Sequence, residues 1–296
     1  MHTSPFVSSR DPILQAAARL FCASILLLSL CPAEAVLFYY TGDTNYNTTA
    51  PTTRALTNSG WQYEGAWGGF LGTVISSNCF ITAQHVGGSV GQSFIFQGLA
   101  YPTVAAYEDT QSDLRILRVA GQFPTNAPLY MRRNERGKSL VVIGRGTERG
   151  VEVRVKNRLK GWQWGAWTSV QRWGQNKVSS LVDGGPGIGE LLSAAFNWGG
   201  GRTEAHLSGG DSGGAVFIKD GRAFKLAGIN YSVDGPYNTT NSGPGFDAAI
   251  FDQRGLYRKN ADGSWTLPAR TIVPGAFYAT RISSHTNWIN SVLSQP

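Results

Sequence analysis

The sequence predicts an all-β fold, on three observations. Glycine supplies 37 of 296 residues, well above the usual level of about 7 %. Short runs of alternating apolar and polar residues recur between turns, whereas helical periodicity is nearly absent. Asp220-Gly221 lies between two apolar runs in "FIKDGRAFKLAGI", and Asp262-Gly263 repeats the signal in "KNADGSW". Asp-Gly suits the left-handed positions of tight hairpin turns.

Taken in order, the chain opens with a segment that need not join this fold. Leu20–Cys31 is an apolar run of twelve residues that follows Arg10 and Arg19 and precedes Ala33-Glu34-Ala35. A membrane span needs about 20 residues, so the run reads as a secretory signal peptide over 1–35, cut before Val36. An uncleaved anchor is the alternative. A lipoprotein signal is disfavoured because Leu30 precedes Cys31. Removing 1–35 takes away two Arg, one Asp and one Glu and leaves the formal charge at +7. That mild basic excess gives nucleic-acid binding little support. It also removes Cys22 and Cys31, so Cys79 has no partner for an intramolecular disulfide. Packing alone has to hold the fold.

The stretch "GQFPTNAP", Gly121–Pro128, is rich in breakers and reads as a linker between halves at 36–125 and 126–296. Val151, Val153 and Val155 alternate with Glu152, Arg154 and Lys156 as one half-buried strand. Residues 284–294 form the one helical exception. There His285, Trp288, Ile289, Val292 and Leu293 share a face, with Ser283 or Ser284 available as N-cap.

The chemistry concentrates in "HLSGGDSGGAVF", His206–Phe217, where Ser212 stands among four glycines. A serine nucleophile needs a histidine base within hydrogen-bond reach and a third group to orient that base. Beyond residue 35 the histidines are His85, His206 and His285. His285 lies on the apolar helix face as a packing residue. His85 ends the apolar run "CFITAQHVGG", where a rigid strand would deliver it to a loop.

"GDSGG" (210–214), "ITAQHV" (81–86) and "SDLRILRV" (112–119) resemble the signatures of chymotrypsin-like serine proteases, in that family's His-Asp-Ser order. "GGFLGTVIS" and "PGAFYATRISSHTNWI" extend the resemblance over nearly all of the chain beyond residue 35. It implies two packed antiparallel six-stranded β-barrels with a short C-terminal α-helix. It implies Ser212 as nucleophile, His85 as base and Asp113 as the orienting acid, with Asp109 the rival for that last role. The backbone N–H groups of Gly210 and Ser212 would form the oxyanion hole. Such an enzyme forms an acyl-enzyme on peptide substrates and needs no cofactor or metal. It is expected to be exported, monomeric, and without nucleic-acid partner or stable membrane anchor. A non-catalytic binding protein on the same fold, or an esterase with the same triad, are the competing readings.

Several positions depart from the family pattern. Val86 replaces the usual cysteine, and the start at "VLFYYTGD" lacks the Ile-Val-Gly-Gly type of terminus that meets the aspartate before the nucleophile. That aspartate is Asp211, expected here to be satisfied by other groups without a zymogen cut. His206, six before the nucleophile, stands at the expected pocket base. It implies either an acidic-residue preference or a packing role, and no trypsin-like preference. Asn230, Tyr231 and Ser232 form the expected pocket wall, and 234–273 reads as an insertion. The Trp-rich stretch 160–177 suggests either an aromatic binding platform or alternate-residue strand packing. "DGGPGIGE" (183–190) lacks the spacing and βαβ setting of a dinucleotide site. Asn47, Asn230 and Asn238 open N-x-S/T sequons.

Overall fold

The computed structural model describes residues 36–267 and 270–295. The apolar run and cleavage pattern of the N-terminal segment lie outside those residues. Among the described residues no helix is long and apolar enough to cross a membrane.

The first half closes into a six-stranded antiparallel barrel. Around it run Glu64–Trp67, Phe70–Val74, Cys79–Ala83, Leu114–Val119, Leu99–Glu108 and Ser93–Phe96. Its interior is aromatic. Phe80 and Phe94 stack at 4.0 Å, and Phe123 meets Phe94 and Phe96 edge-on. Gly65 and Gly72 face one another in register on the first two strands. A β-carbon on Gly65 would lie 2.4 Å from Phe94, and one on Gly72 would lie 2.6 Å from Phe80. The stacked rings therefore demand glycine on both strands.

The second half is built on seven strands rather than six. Their order is Arg172–Lys177, Ser139–Gly144, Ala215–Asp220, Ala223–Val233, Ala276–Arg281, Glu190–Ala195 and Ser180–Asp183. The Asp220-Gly221 hairpin joins two of them, with Gly221 at φ 63°. Asp262-Gly263 likewise turns Tyr257–Lys259 back onto Trp265–Thr266. A long hairpin, Thr147–Val155 with Arg158–Trp167, adds Ala248–Ile250 to make a separate three-stranded sheet. Val153 on it is buried but Val151 is 67 % exposed, so the alternation expected over 151–155 holds only in part. From the 234–273 segment, Tyr237, Ala248, Ile250 and Leu256 pack on this hairpin around Val153.

One apolar cluster joins the halves. Leu71, Ile81, Leu114 and Ile116 of the barrel meet Ile143, Ala215, Phe217 and Ile229 of the second half, and Ile289 and Val292 of the helix. Phe123 and Ala127 are buried, and their N–H groups bond Ser77 and Val74 carbonyls, so the 121–128 segment is part of the packing. The helix runs Thr286–Leu293. Its N-cap is His285, with no side-chain cap bond. The two serines expected there are engaged elsewhere. Ser283 Oγ donates to Glu135 at 2.5 Å and Ser284 Oγ to the Arg281 carbonyl at 2.9 Å.

Glu135 and Arg281 form a buried ion pair at 2.6 and 3.0 Å. Breaking such a pair leaves an uncompensated charge. Arg281→Met is expected to cost about 3–5 kcal/mol, read as a lower urea midpoint. Arg281→Met combined with Glu135→Leu should recover most of that loss.

Candidate active site

His85 follows directly on the strand Cys79–Ala83, in a short 3-10 turn, and Asp113 directly precedes Leu114–Val119. Those strands pair with Ala83 opposite Leu114, so the sheet register alone brings the two side chains together. The Asp113 carboxylate accepts twice from His85: Oδ1 from the backbone N–H at 3.0 Å, Oδ2 from Nδ1 at 2.6 Å. On the other side of the ring, Nε2 lies 2.8 Å from Ser212 Oγ. Asp109 is not part of this chain of bonds. It meets His285 Nδ1 at 2.8 Å and Ser112 Oγ at 2.7 Å.

Ser212 sits in a turn held by backbone bonds. Asp211 N–H donates to Ser208 O, Gly213 N–H to Asn230 O, and Asn230 N–H to Gly214 O. Gly210 and Gly213 adopt φ 93° and 78°, the region that only glycine enters without strain. A β-carbon on Gly213 would also fall 2.3 Å from Thr82 Oγ1. Among the described residues the N–H groups of Gly210 and Ser212 donate to no other group. They remain available for a substrate oxygen.

Asp211 is almost fully buried. Gly146 N–H donates to Oδ1 at 2.8 Å, and Ser208 N–H and Oγ donate to Oδ2 at 2.7 and 3.0 Å. The fourth donor is the backbone N–H of Val36. Burial pushes the Asp211 carboxyl up to about 6, and the donors from Ser208, Gly146 and Val36 only partly offset this. The expected "other groups" are thus Gly146 and Ser208, joined by a residue that sequence spacing gave no reason to place there. Val36 is itself fully buried, and Leu37 and Phe38 pair with His206 and Ala205.

A small cavity of about 80 Å³ opens beside Ser212. Tyr231 and Ser232 line it. Tyr231 also meets the His85 ring edge-on at 5.7 Å. Burial, with the Asp113 charge second, raises its phenol. His206 and Asn230 are corrections, since neither lines the cavity. Asn230 is fully buried, its amide donating to the carbonyls of Ile143 and Asp211, so its sequon offers no glycan site. His206 packs between Phe196 and Phe277, with Nδ1 2.7 Å from the Leu207 carbonyl. No described residue of 234–273 lines the cavity either. Sequence reasoning missed Trp164, which does, and Trp167, which packs on Phe70 at 5.5 Å. Their recurring pattern was visible, but their target was not.

Burial lowers the His206 imidazole from 6.5 to about 4. The unfolded chain therefore takes up this proton first as pH falls, and stability present at neutral pH is lost between 6.5 and 4. At 1.36 kcal/mol per unit this amounts to about 3 kcal/mol. Urea titrations of wild type and His206→Leu should differ in pH dependence by that amount over that window.

A family model described as a trypsin-like peptidase domain matches residues 70–229. The chain belongs to this family. The matched span of the trypsin-like peptidase domain contains His85, Asp113 and Ser212, and it covers more than half of the chain. Its architecture is chymotrypsin-like, with mostly strands, a closed six-stranded barrel and one short C-terminal helix. Among solved structures it is similar to a mutant of human heparin binding protein. That match has 15 % identity and a TM-score of 0.48, and covers 81 % of this chain and 95 % of the other. No curated protein matches the chain.

Proposed function

We propose that the protein is an exported serine endopeptidase. The observation that carries this reading is the unbroken relay from Asp113 through His85 to Ser212, at 2.6 and 2.8 Å. The Ser212 hydroxyl attacks the substrate carbonyl carbon while His85 Nε2 takes its proton. Asp113 holds the Nδ1–H tautomer and stabilises the imidazolium that forms. The oxyanion turns toward the N–H groups of Gly210 and Ser212. His85 then protonates the leaving amine, the carbon–nitrogen bond breaks, and an acyl-Ser212 ester remains. Water, deprotonated by His85, cleaves that ester and restores the hydroxyl. Export rests on the apolar run Leu20–Cys31 and the Ala33-Glu34-Ala35 pattern.

The test is an active-site-serine phosphonylating reagent, read by intact mass. One adduct on the wild type that is lost in Ser212→Ala and His85→Ala is expected. A folded wild type that takes no adduct would refute the reading.

A further inference from the structure

The cavity beside Ser212 carries information that the triad does not. At about 80 Å³ it is well below the roughly 150 Å³ that accommodates a benzene ring. Its walls come from Leu207, Ser208, Gly209, Tyr231 and Val233, and from Trp164 on the long hairpin. The Trp164 ring lies 3.0 and 3.1 Å from where a β-carbon on Gly209 would stand, so it presses directly on the loop that carries the nucleophile.

Among the described residues, the one charged group on the cavity wall, Asp211, is already engaged. Both carboxylate oxygens are taken up by Gly146, Ser208 and Val36. The Ser208 hydroxyl is committed too, accepting the Thr147 N–H and sharing its one proton between Asp211 Oδ2 and the Thr147 carbonyl. His206 is buried among aromatic rings and away from the lining. A charged side chain entering here would lose its hydration, and the one carboxylate on the wall, Asp211, is already hydrogen-bonded by donors of the fold itself, so burying a charge here is unfavourable. A long apolar or aromatic one would meet the Trp164 ring.

Building on the peptidase reading, we propose that this site takes peptides with a small, uncharged residue before the scissile bond: alanine, serine, threonine or valine. Trp164 is the specificity-determining residue that sets the depth of the cavity.

The test uses a series of peptidyl diphenyl phosphonates identical except at the residue facing the cavity, which is alanine, valine, phenylalanine, lysine or glutamate. Each reacts by forming a serine–phosphorus bond with loss of phenoxide, so labelling rates are read by intact mass on the exported full-chain product. A small fluorophosphonate, which needs no side-chain pocket, runs beside them. The alanine or valine reagent should label about 100-fold faster than the other three, the scale on which small pockets discriminate. In Trp164→Ala the phenylalanine reagent should gain at least about 10-fold while the alanine reagent changes little. Trp164→Leu, which keeps an apolar wall, should shift the order the same way and covers the case where the alanine variant fails to fold. Fastest labelling by the phenylalanine, lysine or glutamate reagent in the wild type overturns the proposal. So does an order that both Trp164 variants leave unchanged. A folded protein that even the small fluorophosphonate does not label defeats the peptidase reading itself.

Discussion

Asp113→Asn is expected to lower kcat by about 10⁴-fold, with the protein still folded and KM changed little. The reason lies in how the carboxylate divides its oxygens. Oδ1 receives the His85 backbone N–H and Oδ2 receives Nδ1–H. An asparagine that keeps its carbonyl on the backbone N–H turns its NH₂ toward Nδ1. The ring must then accept there, its proton moves to Nε2, and Nε2–H faces Ser212 Oγ, unable to take the hydroxyl proton. Geometry survives and basicity is lost. Asp109→Asn is the control. Asp109 lies four residues earlier but serves His285 and Ser112, so its loss should register in stability and leave kcat within a few-fold. Steady-state kinetics on one peptide substrate checks both variants, and equal kcat in Asp113→Asn and wild type would sink the assignment.

The second large effect is expected from blocking the proposed removal of residues 1–35. Uncut, Val36 offers Asp211 a neutral N–H. Cut before Val36, the same nitrogen becomes an α-ammonium against a buried carboxylate. With neutral donors alone Asp211 stands at about 6, raised from 3.8. The native state then holds its proton more tightly than the unfolded chain, and stability declines as pH rises from about 4 through 6. A neighbouring cation brings the carboxyl back down and removes that penalty. Asp211 immediately precedes the nucleophile and anchors the turn that presents Gly210 and Ser212 N–H. Its loosening should therefore resemble the loss of an oxyanion donor, about 10²–10³-fold in kcat. Substituting Ala33 and Ala35 with bulky residues should prevent processing. The uncut protein should then show that kinetic deficit and lose about 3 kcal/mol relative to the processed form between pH 4 and 7. His206 titrates alike in both forms and cancels in the difference. Equal kcat for cut and uncut protein would show that Val36 is only packing.

What the sequence makes legible follows from locality. His85 and Asp113 sit at the ends of two apolar strands, and the glycines around Ser212 announce a special backbone, so those residues stand out without coordinates. The Asp220-Gly221 and Asp262-Gly263 hairpins are local as well. For His206 the packing role, one of the two its position left open, is the one the structure shows, because a position counted from the nucleophile fixes where the backbone runs, not which way a side chain turns. Here the pairing of Ala205 and His206 with Phe38 and Leu37 accompanies an imidazole set among Phe196 and Phe277. Val36 against Asp211, and Trp164 against Gly209, are contacts across long stretches of chain that no local pattern encodes.

Cys79 is buried and unpaired, and a single apolar cluster spans both halves and the terminal helix. Thiol reductants therefore have no bond to attack in the described fold, and the molecule should keep its shape and its activity in dithiothreitol. Each half also has a core cluster of its own, but the shared one ties them together: heat should take both down in one calorimetric transition, carrying the His85–Ser212 pairing with it.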